Sequence, residues 1–310
     1  MGTLFSRLTT VDDIEVEEIS PSQLYNLHAD LTSFHELFDC RCDDQYKTSH
    51  IDLAVKVHTP EEVVAKVEQR YCSVCVFYHS SDDHDNKYLV KCKRALAKLA
   101  GTTSRTIRMC LITGGFTAFE KKYPFMCTGN ANYIEGLLFP SEISDNMYLS
   151  NYGVASNPTV LHLMKITHVI NCTEDCPFVT DIVTQNDSDI DGSSSSDLLE
   201  KVSHIKNMRV PVTDTHSHII AAFFDKAYDF IESALVATDI EGNCHSQARI
   251  LVHCKHGASR SASIVAAYLV RKRAISVHDA LAYLKARRSK VCPNIGFIEQ
   301  LEEYAIIQRR

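Results

Sequence analysis

The sequence lacks the features that would place it in a membrane or send it out of the cell. No run of apolar residues reaches the roughly 18 that a membrane-spanning helix needs. The N-terminal segment also has no apolar core of the kind found in a secretory signal peptide. We therefore expect no membrane span and a location in the cytosol or the nucleus. The alternatives are a mitochondrial location and N-myristoylation of Gly2, for which Ser6 has the required spacing.

Basic residues are not in excess either. The chain has 32 Lys and Arg against 39 Asp and Glu, which gives a formal net charge of -7. Proteins that bind nucleic acid are usually basic, so nucleic acid is not expected as the main partner. At 310 residues with 45% hydrophobic content, the chain is long enough to form two domains.

The twelve cysteines do not have the setting of a disulfide framework, because an intracellular chain of this length keeps them mostly reduced. The only CxxC spacing joins Cys72 and Cys75, inside "YCSVCVFY", which is typical of a strand. Positions three apart in a strand point to opposite faces, so we expect these two sulfurs to lie apart and to share no metal. No metal or cofactor is expected elsewhere.

Hydrophobic periodicity indicates a small α/β domain over residues 15–128, after a frayed segment at residues 1–14. A linker is expected over residues 129–140. The predicted elements are a helix in "ISPSQLYNLHADL", strands in "HELFDCRC", "SVCVFYH" and "IRMCLITGG", and a helix in "DNKYLVKCKRALAKLA".

The second region, residues 141–310, has the pattern of an α/β domain with a central, mainly parallel sheet flanked by helices. A disordered insertion is expected at about 179–204, because "TQNDSDIDGSSSSD" consists of acids, serines and few apolar residues. The predicted strands are "ITHVINCTE", "MRVPV" and "ARILVH", and the predicted helices are "AAFFDKAYDFIESAL", "RSASIVAAYLVRKR", "SVHDALAYLKARR" and "FIEQLEEYAIIQ".

The stretch "LVHCKHGASRSAS" places a short loop, residues 254–260, between a buried strand and a buried helix. In α/β sheets this is where ligands bind. The backbone N–H groups of such a loop and the start of the helix suit an anion of phosphate size, and Gly257 permits the tight turn. Arg260 supplies a planar fork for two phosphate oxygens, and Cys254 at the base of the loop would face the phosphorus.

A free thiol is mostly protonated at pH 7, so a nucleophilic Cys254 requires a pKa lowered by about three units. A helix terminus alone supplies about 0.3–2 kcal/mol, less than the roughly 4 kcal/mol needed. The remainder must come from the loop N–H groups, from Arg260, and from hydrogen bonds of Ser261 or the region of His253. The same donors would stabilise a transferring phosphoryl group.

The segment "HCKHGASRS" resembles the HCxxGxxRS loop of the protein tyrosine phosphatase superfamily, and the short domain resembles its dual-specificity branch. This resemblance implies that Cys254 is the nucleophile, that Arg260 stabilises the transition state and that Ser261 assists departure of the thiolate. The phosphate-binding residues would be Lys255, His256, Gly257, Ala258, Ser259 and Arg260.

A general acid is also needed, because an alkoxide is a poor leaving group. Asp214, in "VPVTDTHSHI", follows a strand and opens a loop, which is where the family's acid lies. Asp225 and Asp229 are alternatives within the next helix, where a solvated face is expected. "CPNIGFIEQL" resembles the PNxGF segment of the family, in which Asn294 would brace the phosphate loop; it also suits a helix N-cap.

In the first region, "FDCRCDDQYKTSHI" followed later by "CLITGGFTAFEKKYP" resembles the rhodanese-like domain found at the N-terminus of MAP kinase phosphatases. A sulfurtransferase needs a cysteine in the loop after "SVCVFY", but this chain has His79 near that place, so we expect a binding role without catalysis. The arginine cluster through which relatives bind kinases is absent. Lys91, Arg94 and Lys98 are its nearest substitute, although a solvated helix face is the alternative interpretation.

The overall architecture is similar to that of serine/threonine/tyrosine-interacting-like proteins, pseudophosphatases that lack the nucleophile. This chain keeps Cys254, so we favour a protein phosphatase acting on phosphotyrosine and phosphoserine or phosphothreonine, with a MAP kinase as candidate partner. A phosphoprotein-binding scaffold is the first alternative. A phosphoinositide phosphatase is the second alternative. Lys255 is typical of those enzymes, but they usually have a second basic residue at the position of Ala258.

A thiolate at Cys254 would also be a target for peroxide. Cys172 and Cys176, after a neighbouring strand in "INCTEDCPF", are the candidates to form a disulfide with it. The alternative is that both are ordinary buried cysteines.

Overall fold

The computed structural model describes residues 14–30, 35–80, 87–186, 197, 200–236 and 248–309. The chain divides into two compact units, residues 1–136 and 137–310. The predicted frayed segment up to residue 13, including Gly2 and Ser6, lies outside the described residues. Within the described ranges, no helix is long and apolar enough to cross a membrane.

The first unit is built on a five-stranded sheet of order β1-β5-β4-β2-β3, in which all pairs are parallel. Its central strands carry near-continuous apolar runs, as expected for strands covered on both faces. The strands are β1 Val16–Ile19, β2 His35–Asp39, β3 Val55–Lys56, β4 Val74–Tyr78 and β5 Arg108–Ile112. The helices are α1 Pro21–Ala29, α2 Asp43–Thr48, α3 Pro60–Gln69, α4 Lys87–Thr103 and α5 Gly115–Lys122.

Helix α1 begins as its sequence predicts. The Ser20 side chain accepts a hydrogen bond from the backbone N–H of Gln23, and the Gln23 side chain accepts one from the backbone N–H of Ser20. This reciprocal pair satisfies two N–H groups that a helix start otherwise leaves unpaired. Helix α4 buries Leu89, Leu96 and Leu99 at helical spacing, which is the reason why it packs on the sheet.

The expectation that Cys72 and Cys75 lie on opposite faces of a strand is wrong. Strand β4 begins only at Val74, so Cys72 precedes it and the alternation of a strand does not apply. The Cys72 thiol donates to the carbonyl of Val74 at 2.7 Å. A hydrogen bond from Cys75 lowers the pKa of Cys72, so the two sulfurs are neighbours.

The residues that follow helix α5, the last helix of the first unit, pack against that unit. Ile51 and Cys127 form an isolated antiparallel bridge, and the N–H of Thr128 donates to the carbonyl of His50 at 2.9 Å. The Tyr133 hydroxyl donates to Asp52 at 2.8 Å. Part of the segment expected as a linker therefore packs on the first unit.

The second unit has a five-stranded sheet of order β6-β7-β10-β8-β9, parallel except for the β6–β7 pair. This confirms the predicted fold class. The strands are β6 Ser141–Ser144, β7 Met147–Asn151, β8 His168–Asn171, β9 Lys206–Arg209 and β10 Ile250–Cys254. The helices are α6 Tyr152–Ala155, α7 Pro158–Leu163, α8 Val179–Asn186, α9 Phe224–Val236, α10 Arg260–Arg273, α11 Val277–Lys285 and α12 Ile295–Gln308.

The expected disordered insertion at about 179–204 is wrong at both of its ends. Residues 179–186 form helix α8, and residues 200–202 are helical as well. Val179, Val183 and Val202 are buried, so these flanking turns join the core and the bias of the acidic segment does not extend to them. Residues 187–196, 198 and 199 lie outside the described residues.

Candidate active site

The loop at residues 254–260 lies at the centre of the second sheet. Strand β10, between β7 and β8, is buried along its whole length and ends at Cys254, and helix α10 begins at Arg260. Gly257 has a φ of +67°, and a Cβ there would lie 2.4 Å from the carbonyl oxygen of Ser150. Only glycine therefore allows the loop to turn this close to strand β7.

The Cys254 thiol lies at the base of this loop and is surrounded by donors. Its Sγ accepts hydrogen bonds from the Gly257 N–H and from the Ser261 hydroxyl, both at 3.2 Å. Burial acts to raise the pKa of Cys254, but the donors of Ser261, the N–H of Gly257 and the charge of Arg260 lower it below its ordinary value. The predicted activation of this thiol thus has identifiable sources.

Arg260 supplies a buried cation beside the thiol. Its Nη1 donates to the carbonyl of Val212 at 3.1 Å, and only 8% of the residue is exposed. Its Nε lies 3.8 Å from Oδ2 of Asp214, and no acceptor among the described residues is within hydrogen-bond distance of it. Because a buried N–H without an acceptor is costly, this donor fits an anion held in the loop.

Asp214 is brought to the same place. Its Oδ1 accepts from the Ser259 hydroxyl at 2.6 Å and from the side-chain amide of Asn294 at 2.8 Å. Asn294 also donates its backbone N–H to the Ser259 hydroxyl at 3.1 Å, and its side chain caps helix α12 through Phe297 at 3.0 Å. Asn294 therefore links the Asp214 carboxylate, the loop at residues 254–260 and the start of helix α12.

Helix α12 also holds the segment that carries Asp214. Gln300 donates to the carbonyl of His218 at 2.8 Å and accepts from the N–H of Ala221 at 3.0 Å. A Cβ on Gly296 would lie 2.1 Å from the carbonyl oxygen of His216, so the backbones of the helix and the loop are in direct contact. The position of Asp214 is fixed by packing as well as by its own hydrogen bonds.

The two alternative carboxylates are elsewhere. Asp225 in helix α9 pairs with Arg271 at 2.9 Å and accepts from the Tyr304 hydroxyl at 2.7 Å, so it ties helices together. Asp229 is exposed on the same helix. Within the described parts of the chain, neither carboxylate forms a hydrogen bond or ion pair with the loop at residues 254–260.

The remaining predicted residues differ in their surroundings. The side chains of Lys255 and His256 are exposed at the loop, whereas Ser259 is buried and Ala258 is partly buried. Burial lowers the pKa of His253 to about 4, against a smaller opposite effect of the Cys254 backbone. The imidazole is therefore neutral at pH 7 and adds no charge beside Cys254.

A residue that could not be identified from the sequence, Arg288, also contacts the loop from the segment that follows helix α11. This buried guanidinium donates to the carbonyls of Gly257 at 2.8 Å and His256 at 3.2 Å, and to the Ser141 hydroxyl at 3.3 Å. The only signal in the sequence is the basic run "KARRSK", and nothing in it distinguishes Arg288 from Arg287.

Of the two candidate partner thiols, Cys172 is the one beside Cys254. Its backbone N–H donates to the carbonyl of His253 at 2.8 Å, directly across the β8–β10 pair. Burial raises the pKa of Cys172, and the charge of Cys254 raises it further. Cys176 lies in the following loop, where its carbonyl accepts from Asn171 and Arg209.

We expect mild peroxide to produce a Cys172–Cys254 disulfide. Peroxide would oxidise the Cys254 thiolate to a sulfenic acid, and the Cys172 sulfur would displace hydroxide from it to form the S–S bond. Peptide mapping should find this disulfide in the wild type and in Cys176→Ser. In Cys172→Ser it should find sulfinic acid at Cys254 instead. A disulfide that depends on Cys176 would contradict the prediction.

Comparisons with known proteins agree with this geometry. The family model described as dual specificity phosphatase, catalytic domain, matches residues 147–307. Human dual specificity protein phosphatase 16 is 25% identical over 298 residues, which cover 86% of this chain and 40% of the relative. Human dual specificity protein phosphatase 1 is 26% identical over 315 residues, which cover 86% of this chain and 77% of the relative.

Two further proteins are similar to parts of this chain. A Dictyostelium discoideum protein named probable rhodanese domain-containing dual specificity protein phosphatase is 29% identical over 207 residues, covering 64% of this chain and 37% of the relative. The solved human tyrosine phosphatase-like serine/threonine/tyrosine-interacting protein is 26% identical, with a TM-score of 0.41, and the match covers 55% of this chain and 98% of that structure. The chain thus spans less than half the length of several of its curated relatives. Because the catalytic-domain model matches just over half of the 310 residues, the chain belongs to the dual-specificity protein phosphatase family.

Proposed function

We propose that this chain is a cysteine-dependent protein phosphatase that hydrolyses phosphotyrosine and phosphoserine or phosphothreonine through a cysteinyl-phosphate intermediate. The state of the Cys254 thiol carries the proposal. It is buried, yet its pKa is lowered because Ser261, Gly257 and Arg260 all favour the thiolate. A structural cysteine in an apolar core would have a raised pKa instead, as Cys172 does.

In the first chemical step, the loop N–H groups and the Arg260 guanidinium bind the phosphate oxygens. The Cys254 thiolate attacks phosphorus in line, and the bond from phosphorus to the substrate oxygen breaks. Asp214 gives its proton to that oxygen, so that an alcohol leaves and not an alkoxide. The contacts of Asp214 with Ser259 and Arg260 support this placement of the acid.

In the second step, water attacks the cysteinyl phosphate and Asp214, now ionised, takes its proton. The phosphorus–sulfur bond breaks, and its electron pair returns to Cys254 as the thiolate. The Ser261 hydroxyl, 3.2 Å from Sγ, stabilises this leaving group. The donors that lower the thiol pKa in the resting protein thus also favour the second step.

We also propose that residues 15–128 are a rhodanese-like domain that binds a protein partner, with a MAP kinase as the candidate, and that catalyses nothing. His79, in place of a loop cysteine, is buried, and its carbonyl accepts from the N–H of Phe116 at 2.7 Å. A cleft of about 460 Å³ between helices α3 and α4 is lined by Lys91, Arg94 and one carboxylate, Glu61, and the net positive charge of this lining suits an acidic segment of the partner. We assign both units to the cytosol or the nucleus, where twelve cysteines remain reduced.

The test is phosphate release by the purified full chain, kept reduced, on phosphotyrosine and phosphothreonine peptides, a nitrophenyl phosphate and a phosphoinositide. We expect Cys254-dependent turnover of the peptides and the aryl ester. Binding of phosphoprotein without turnover would support a scaffold instead, and preference for the lipid headgroup would support a phosphoinositide phosphatase. Sulfur transfer from thiosulfate to cyanide by the same protein would contradict the role proposed for residues 15–128.

A further inference from the structure

The loop at residues 254–260 has a second buried cation, Arg288, on its outer side. Arg288 is 8% exposed, and it contacts the loop through carbonyl oxygens, whereas Arg260 contacts the position that an anion would take. The carbonyls of a loop that points its N–H groups inward must face outward, where they need donors. Arg288 supplies these donors from the segment that follows helix α11, and its Nη1 donates to the Ser141 hydroxyl of strand β6.

One peptide group links Arg288 to the thiol of Cys254. The carbonyl of His256 accepts from Nη2 of Arg288 at 3.2 Å. The N–H of Gly257, at the other end of the same peptide group, donates to Sγ of Cys254 at 3.2 Å. The guanidinium therefore contacts the negative end of a dipole whose positive end contacts the sulfur.

We propose that Arg288 is a positioning residue that orients and polarises the His256–Gly257 peptide, so that its N–H holds Cys254 as the thiolate. Two effects contribute. The fork of Arg288 spans the adjacent carbonyls of His256 and Gly257, which fixes the plane of the peptide. A hydrogen bond to the carbonyl also strengthens the donor at the other end of the group, because hydrogen bonds in series polarise one another.

The other groups that face Cys254 do not duplicate this action. Arg260 approaches from helix α10 and acts through its charge, and Cys172, directly after strand β8, is a thiol with a raised pKa. His253 on strand β10 is neutral at pH 7. Asp214, from the loop after strand β9, faces Arg260 and Ser259. Arg288 is the cation that acts on the Gly257 N–H.

The test is the pH dependence of alkylation of Cys254 by iodoacetamide in the full chain, quantified by mass spectrometry on the peptide that carries this cysteine. We expect Arg288→Met to raise the pKa of the reaction by about one unit, which lowers the alkylation rate about tenfold at a pH below both values. Arg288→Lys keeps the charge but cannot span both carbonyls, so a smaller increase is expected.

Arg287→Met is the matched control. Arg287 is the neighbouring residue, it carries the same charge, and its contacts are with Tyr283. An equal increase in Arg287→Met, or no increase in folded Arg288→Met, would overturn the proposal. If Arg288→Met does not fold, Arg288→Gln takes its place: it keeps an N–H donor for the Gly257 carbonyl without the charge, and the same direction of change is required.

This inference rests on the proposed function only for its effect on turnover. Alkylation reports the thiolate without any phosphate chemistry, so its outcome is independent of substrate. A chain that hydrolyses no phosphoester, yet shows the increase in Arg288→Met, would contradict the proposed phosphatase and support the role of Arg288. Normal phosphoester turnover by the wild type, together with an unchanged Cys254 pKa in Arg288→Met, would support the proposed phosphatase and contradict the role of Arg288.

Discussion

Cys254→Ser is expected to abolish phosphate release while phosphoprotein binding persists or tightens. A serine hydroxyl at this position is not ionised near pH 7, so no nucleophile remains, and we expect turnover to fall by about 10⁴–10⁶-fold, as for loss of other enzymatic nucleophiles. We expect the donors of the loop to stay in place, because Arg260 is held by the Val212 carbonyl and Arg288 holds the Gly257 carbonyl, and neither contact involves the Cys254 sulfur. Loss of the thiolate also removes its repulsion of the incoming phosphate dianion.

The measurement compares turnover with binding of the same phosphorylated peptide. Cys292→Ser is a suitable control, because this cysteine is exposed in the same unit and the substitution makes the same exchange of sulfur for oxygen. It should leave both quantities within about twofold of the wild type, as for most surface substitutions. Turnover in Cys254→Ser equal to that of the wild type would remove Cys254 from the chemistry. Binding lost together with turnover would indicate that the loop had collapsed.

The features around Cys254 that could be predicted from the sequence are those encoded in consecutive residues. A β-prone run, a glycine and a helix that is apolar nearly all round place the loop at a strand end, whatever the rest of the chain does. Arg288 could not be found in this way. It reaches the loop from 31 residues further along the chain, through the contact with the Gly257 carbonyl, and local sequence does not encode which of two adjacent arginines is buried.

The errors have a similar origin. The acidic, serine-rich segment predicts disorder, and the prediction was extended to the residues beside it, which form helix α8. Strand β1 was missed because only one of its four residues is buried, although it pairs with strand β5. Cys72 was assigned to a strand that begins two residues later. In each case a tertiary contact, and not the local pattern, decides the boundary of an element.

Asp214→Ala is expected to slow hydrolysis of phosphoserine by about 10²–10⁴-fold and to spare a nitrophenyl phosphate at low pH. An aliphatic alkoxide leaves poorly without a proton, whereas a nitrophenolate is a weak base and leaves unaided. The effect should therefore depend on the leaving group, with little change in substrate binding. In a pH–rate profile for phosphoserine, the limb that reports a protonated acid should disappear.

Removal of Asp214 also removes an acceptor for Ser259 and Asn294, so a structural effect must be separated from loss of a proton donor. Asp214→Asn does this, because its amide oxygen keeps an acceptor at this place and its amide does not act as an acid near pH 7. The same dependence on leaving group in both variants identifies the acid. Equal losses on both substrates in Asp214→Ala, with near-normal rates in Asp214→Asn, would show that the carboxylate only supports the loop.

Two further variants complete this prediction. Asp229→Ala removes an exposed carboxylate from helix α9 and should change neither rate, which tests the alternative acid directly.

Arg260→Lys should lower the rates on phosphoserine and on the nitrophenyl ester alike, because a lysine keeps the charge but cannot hold two phosphate oxygens in one plane. A group that binds the phosphoryl oxygens acts on every substrate, and a proton donor acts only where the leaving oxygen is basic. If Arg260→Lys reproduced the leaving-group dependence expected of Asp214→Ala, the assignment of these two roles would be wrong.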